Sequence, residues 1–238
     1  MRQMYQGFGE KVFKDSYLDN QLDLGMLLGA NYSLDKLKAL LERVVGDTTL
    51  GELEKKVLIT TFDLKDETSD PPRWKPKFFH NYTEPSDDND QRLVDVVLSS
   101  VAAPVYFPIY KGYIDGGVAA INPSTCALAQ AYHEGFREVR LLSLGTGTNP
   151  RWVEEKDADW GVIQWGFKLV NIVMDGVNDV ADYQCRQILE EDYFRMQPVL
   201  RKVIGMDAWQ SIDDLITIAD SIDLEPLLAW IEEINSTL

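Results

Sequence analysis

The residues best suited to chemistry lie in residues 112–123, whose sequence is GYIDGGVAAINP. An apolar, aromatic-rich run over residues 105–114 predicts a strand that stops at Asp115. Gly116 and Gly117 then predict a tight turn, because glycine tolerates positive φ and lets another group come close. Asn122 and Pro123 suit the start of a helix. The pattern therefore places the Asp115 carboxylate on a strand-to-helix corner, where α/β folds hold their chemistry.

Two further blocks lie on either side of this motif. Residues 99–108 (SSVAAPVYFP) lead into the predicted strand; Ala102 and Ala103 permit close packing, and Pro104 ends a helix. Residues 141–147 (LLSLGTG) end another strand. Taken alone, the Asp115 motif is better explained by an Asp-Gly turn with a helix cap. Taken together and in this order, the three blocks closely resemble the second half of the patatin-like phospholipase family.

This resemblance implies a fold and a mechanism. In that family a serine in a G-x-S-x-G turn attacks a lipid ester, and an Asp in a D-G-[GA] motif is its base. Asp115 is the matching base, with Gly116 and Gly117 beside it and residues 102–104 as supporting motif. The resemblance also implies an α/β, three-layer fold with a mostly parallel central sheet flanked by helices. It implies no metal and no cofactor.

The nucleophile of such a mechanism is absent from the sequence. No G-x-S-x-G occurs anywhere, and Ser99, Ser100, Ser124 and Ser143 all lie outside a glycine-flanked elbow of the kind that projects a catalytic hydroxyl. We expect a chain that lacks the first β-α units of the family and is inactive alone. The family motif also continues with two asparagines before the proline, and Ile121 occupies the first of these positions.

Composition excludes several classes of function. A formal charge of -16 disfavours nucleic acid, whose binding rests on Lys and Arg, and gives no help toward anionic membranes. Cys126 and Cys185 are too few for a disulfide framework. His80 and His133, the two histidines, form no metal-type spacing with other ligands. No apolar run approaches the roughly 20 residues of a membrane span, and residues 1–5 do not begin a signal peptide. We expect a protein that is cytoplasmic or peripheral to a membrane.

The hydrophobic pattern predicts one domain over residues 1–238, with the family resemblance over about 5–200. Helices are predicted over 5–13 (the tail of one), 33–45, 93–101, 123–133, 160–174 and 177–189, with two short ones in 211–238. The buried face of the helix at 33–45 consists of Leu34, Leu37, Leu40, Leu41 and Val44. Predicted strands are 55–62, buried on both faces, 77–81, 105–114, 139–144 and 193–197. Residues 18–32 are predicted to be irregular, and 63–75 and 84–90 to be loops. The Met and aromatic stripe of 160–174 indicates either core or an apolar trough for a fatty chain.

Two functions remain open. The first is a lipid acyl hydrolase that cleaves phospholipids or related lipids at a membrane or micelle surface. The second is a non-catalytic lipid-binding or interaction module on the same scaffold, in which an exposed sheet edge allows self-association. A third interpretation, an unrelated α/β protein in which Asp115 only shapes a turn, accounts poorly for the three ordered blocks.

Overall fold

A computed structural model describes residues 2–14, 30–82, 87–154 and 159–236. Most of the predicted irregular region 18–32 and part of the predicted loop 84–90 lie outside the described residues. The chain divides into two compact units, Met1–Ala127 and Leu128–Leu238. The expectation of a single domain stays a prediction.

The first unit begins with helices that pack on an apolar core. The helices that begin within it are α1 (Arg2–Phe13), α2 (Asp35–Val45), α3 (Leu93–Val101), α4 (Gly116–Ala120) and α5 (Ser124–His133). Leu34 and Leu40 from the α2 region pack with Val94 and Leu98 of α3. These helices were predicted, except α4, and Gly46 ends α2 as expected. Val44 is exposed instead of buried, and its neighbour Val45 contacts the core in its place.

A three-stranded antiparallel sheet completes this unit. It consists of β1 (Leu58–Asp66), β2 (Arg73–His80) and β3 (Tyr113–Ile114), in the order β2-β1-β3. The return of β2 beside β1 was predicted. The loop predicted over 63–75 is shorter, because both strands extend into it to form a hairpin. Strand β1 is only partly buried, so the prediction of burial on both faces was wrong.

The strand predicted over 105–114 is mostly absent. Only β3 remains of it, because Val105 and Lys111 have φ of 76° and 50° and so interrupt any extended run. Left-handed backbone is rare for a β-branched residue such as Val105. The carbonyl of Val105 accepts a hydrogen bond from Asn31 at 2.9 Å, so this turn holds the chain that enters α2.

The second unit contains a parallel strand pair and long helices. Strands β4 (Leu141–Leu144) and β5 (Tyr193–Met196) are parallel, and between them runs α6 (Val162–Leu189). Within α6 the backbone leaves helical geometry at Gly166 (φ 24°, ψ -121°), so the break between the two predicted helices lies there and not near residue 176. Helices α7 (Ile212–Asp220) and α8 (Glu225–Ser236) follow, as predicted. Among the described residues, no helix is both long and apolar enough to cross a bilayer.

The α/β class is confirmed, with helices around two small sheets. A mostly parallel central sheet is not confirmed, since in the described part of the chain the larger sheet is antiparallel and only β4 and β5 pair in parallel.

Candidate active site

Asp115 lies where β3 passes into α4. Its backbone N–H donates to the carbonyl of Ala102 at 3.2 Å, which ties the end of β3 to the segment after α3. Its side chain caps α4, because Oδ1 accepts the N–H of Gly117 at 2.9 Å. The predicted corner is therefore present, and the carboxylate is fixed by a helix cap.

Gly116 and Gly117 begin a short helix and do not form a positive-φ turn, so that part of the prediction was wrong. The requirement for close approach is met at Gly116. A Cβ there would meet the carbonyl oxygen of Thr60 and lie 2.5 Å from the Thr60 hydroxyl and 3.0 Å from the Ser100 hydroxyl. Position 116 therefore has no room for a side chain.

Thr61 joins the three elements around the site. Its hydroxyl is fully buried and lies 2.7 Å from the carbonyl oxygen of Ile114 and 3.0 Å from that of Ser99. Strand β1, the last residue of β3 and helix α3 are thus held by one side chain. The sequence showed Thr60 and Thr61 only as part of a β-branched strand, and nothing there marked them as supports of Asp115.

Burial sets the electrostatics of the carboxylate. Asp115 is partly buried, and this burial raises its pKa above the ordinary value, while the N–H of Gly117 acts against the rise. No cation among the described residues forms an ion pair with it. Loss of hydration, with no neighbouring positive charge to offset it, makes a carboxylate a stronger base than it is in water.

A family model described as patatin-like phospholipase matches residues 1–127 and so includes Asp115, its helix and the residues 102–104. The chain belongs to the patatin-like phospholipase family.

Curated relatives match over most of the chain at low identity. The cGAMP-activated phospholipase of Pseudomonas aeruginosa is 28% identical over 207 residues, which cover 82% of this chain and 60% of that protein. Patatin-like protein 1 of Arabidopsis thaliana is 24% identical, over 79% of this chain and 50% of its own length. Protein teg of Priestia megaterium is 26% identical, over 78% and 66%. This chain therefore spans half to two thirds of the length of these three relatives.

The residues predicted to support the motif, 102–104, follow α3, and the first of them accepts the backbone hydrogen bond from Asp115. Ala102 and Ala103 are buried, and Pro104 is exposed after the end of α3 at Val101. The Ala103 carbonyl accepts hydrogen bonds from the N–H groups of Tyr106 and Phe107, at 3.1 and 2.8 Å. The turn after α3 is therefore closed on itself, and small side chains at 102 and 103 let β3 come close to it.

Asn122 is buried and caps α5. Its Oδ1 accepts from the backbone N–H of Ser124 at 3.2 Å and from the Ser124 hydroxyl at 2.6 Å. Ile121, where the patatin-like pattern has its first asparagine, is 38% exposed. The departure from the family pattern thus leaves the cap of α5 intact.

The other candidate groups are engaged elsewhere. The Ser99 hydroxyl donates to the carbonyl of Asp95, and Ser143 accepts from Arg195. His80 lies in β2, as predicted for a sheet residue, and His133 ends α5. Within the described part of the chain, no group of three or more His, Cys, Asp or Glu side chains can hold a metal ion.

Proposed function

We propose that this chain carries the general base of a lipid acyl hydrolase, and that Asp115 activates a serine supplied from outside these 238 residues. The observation that supports the proposal is a carboxylate with one oxygen fixed and one available. Oδ1 accepts the N–H of Gly117, and no hydrogen bond from the described residues reaches Oδ2. Oδ2 is the atom that accepts the serine proton.

The reaction follows from that arrangement. The serine hydroxyl gives its proton to Oδ2 as its oxygen attacks the acyl carbonyl carbon of the lipid. The tetrahedral intermediate collapses, and Asp115 returns the proton to the departing alcohol. Water then attacks the acyl-serine with Asp115 again as base; the second tetrahedral intermediate releases the fatty acid, and Asp115 returns the proton to the serine oxygen. The raised pKa of Asp115 favours the two steps in which it accepts a proton, because a carboxylate with its ordinary pKa is a weak base for a serine hydroxyl or a water molecule.

We also propose that the complete protein has a three-layer fold with a mostly parallel central sheet, to which β4 and β5 belong. The 238 residues alone are expected to be inactive, since they present no G-x-S-x-G turn. The reading frame upstream of the codon for Met1 is the first observation to make. A Gly-rich loop and a G-x-S-x-G there supply the serine; a stop codon favours the lipid-binding module.

The test compares two Asp→Asn variants in the longest product of that reading frame. Asp115→Asn keeps a side-chain oxygen for the Gly117 N–H and so keeps the cap, but it removes the base. Asp223 is a matched control, because its Oδ1 accepts the N–H of Glu225 at 2.9 Å in the same i to i+2 geometry at the start of α8. We expect Asp115→Asn to lower hydrolysis of a soluble p-nitrophenyl ester by about 10²–10⁴-fold and Asp223→Asn to leave it unchanged.

Two results contradict the proposal. One is ester turnover by purified 238-residue chain that disappears on Asp115→Ala, because the serine is then within the chain. The other is equal turnover by Asp115→Asn and the unmodified longer product, because Asp115 is then only a helix cap. Self-association through an exposed strand edge stays a prediction.

A further inference from the structure

Helix α6 has a packed side and an apolar side that faces solvent. Ala181, Cys185 and Leu189 on its packed side are buried, and the latter two form a core with Leu128 and Tyr193. The outer face, named here the α6 apolar face, consists of apolar residues after the kink at Gly166 that are each 45–56% exposed: Leu169, Val170, Ile172, Val173, Val177 and Val180. The core predicted for this stripe is therefore not formed on that side.

Aromatic residues adjoin the start of this face. Trp160 and Trp165 pack edge to face with ring centroids 5.2 Å apart, and Lys168 Nζ lies 4.3 Å from the Trp160 ring centroid. Arg151 donates to Asn171 Oδ1 at 2.8 Å, so the segment that carries the 78% exposed Trp152 lies against the same helix. Tryptophan with a nearby lysine is typical of side chains that sit at the headgroup level of a bilayer.

Charge decides between possible occupants of the face. Residues 160–174 contain no Asp or Glu, although the chain has 39 acids in total. The exposed acids Asp175 and Asp179 follow directly and flank the face. Two copies of a chain with a net charge of -16 repel each other, and an anionic membrane repels it as well. A zwitterionic phospholipid surface offers apolar contact without that repulsion.

We propose that the α6 apolar face, with Trp152, Trp160 and Trp165 beside it, docks on a zwitterionic phospholipid surface. The helix lies in the plane of the interface, with the aromatic rings at headgroup depth. Binding to zwitterionic vesicles rests on apolar contact and is therefore insensitive to salt. Binding to anionic vesicles is weaker, because the negative charges of the chain and the membrane repel each other. The choice of a lipid as partner rests on the proposed function; the binding itself needs neither the serine nor Asp115.

The test is flotation of the 238-residue chain with phosphatidylcholine vesicles, and with vesicles of equal parts phosphatidylcholine and phosphatidylglycerol. The variant Leu169→Glu/Val173→Glu places two charges on the face at exposed helical positions. The control Val199→Glu/Val203→Glu adds the same charge at positions 74% and 57% exposed outside it. We expect the first pair to lower the phosphatidylcholine partition coefficient by at least about tenfold and the control to leave it unchanged.

Three outcomes overturn the proposal: no flotation of the unmodified chain, equal loss in both pairs, or stronger binding to the anionic vesicles. Sedimentation of the same samples tests for a second copy on the face. If the unmodified chain is a dimer, and the face variant is a monomer that still floats, the occupant is a second copy and not a membrane. Circular dichroism of both variants excludes unfolding as the cause of a loss. Hydrolysis of the soluble ester by the longer product separates this result from the proposed function, because Asp115-dependent turnover without vesicle binding refutes only the docking surface.

Discussion

Gly116→Ala tests whether the site depends on the contact between α4 and β1. The added Cβ meets the carbonyl oxygen of Thr60 and approaches two hydroxyls, those of Thr60 and Ser100. The hydroxyls can rotate away. The carbonyl cannot, because Thr60 pairs with Phe78 of β2 and its neighbour Thr61 is held by Ile114 and Ser99.

The magnitude follows from two opposing effects. Forcing a methyl group into a packed site costs about 1–3 kcal/mol, and a backbone neighbour places this case at the upper end. Alanine in a helix recovers at most about 1 kcal/mol relative to glycine. We therefore expect a net loss of about 2 kcal/mol in the free energy of unfolding. With a urea m value of about 3 kcal/mol/M, the unfolding midpoint falls by about 0.7 M.

Gly176→Ala is the matched control in the same assay. Gly176 lies inside α6, has an ordinary helical φ, and a Cβ there meets nothing within 4 Å. It should therefore raise the free energy of unfolding by up to about 1 kcal/mol. If Gly116→Ala were as stable as Gly176→Ala, the argument that position 116 admits no side chain would be refuted. An unchanged midpoint together with lost ester turnover in the longer product would place the effect on Asp115 geometry alone.

Two further predictions concern the same site. Because the folded pKa of Asp115 is raised above 3.8, the stability that the protonated acid contributes is complete below pH 3.8 and is lost as pH rises through the folded value. The free energy of unfolding of the unmodified chain, minus that of Asp115→Asn, should thus fall as pH rises. Urea titrations in which this difference increases with pH contradict the prediction. Thr61→Val leaves a buried carbonyl without its hydrogen bond and should lower the free energy of unfolding by about 1–3 kcal/mol. The control is Thr217→Val, because the Thr217 hydroxyl contacts the Asp213 carbonyl on an exposed helix, and it should change that free energy by less than about 0.5 kcal/mol. Equal effects of the two variants would refute the bridging role of Thr61.

Local signals predicted the elements around the site well. Leu93–Val101 is helical as its spacing indicated, and its end follows from the small residues and proline after it. The start of α5 follows from Asn122, whose side chain accepts the N–H of Ser124. These features depend on neighbours within a few residues, so the sequence carries them directly.

Features set by distant parts of the chain were missed. Val105 belongs to an apolar, β-branched run that favours a strand, yet it has positive φ where its carbonyl binds Asn31, 74 residues earlier. The reason for Gly116 is likewise a carbonyl in β1, and no local pattern reveals that neighbour. In α6 the first predicted helix ends at residue 174 and the second begins at 177, but the backbone leaves helical geometry at Gly166 instead.

The two roles considered for Asp115, helix cap and general base, differ in what they require of the side chain. Asparagine caps a helix about as well as aspartate, so the cap alone gives no reason for a carboxylate. Burial without a cation makes the charged form costly, as the raised pKa records. At neutral pH a carboxylate here is therefore less favourable for folding than an amide. A stability cost at a residue whose second oxygen is available supports the proposal that Asp115 is a base. Higher stability and lost turnover in the same Asp115→Asn protein would join the two halves of this argument.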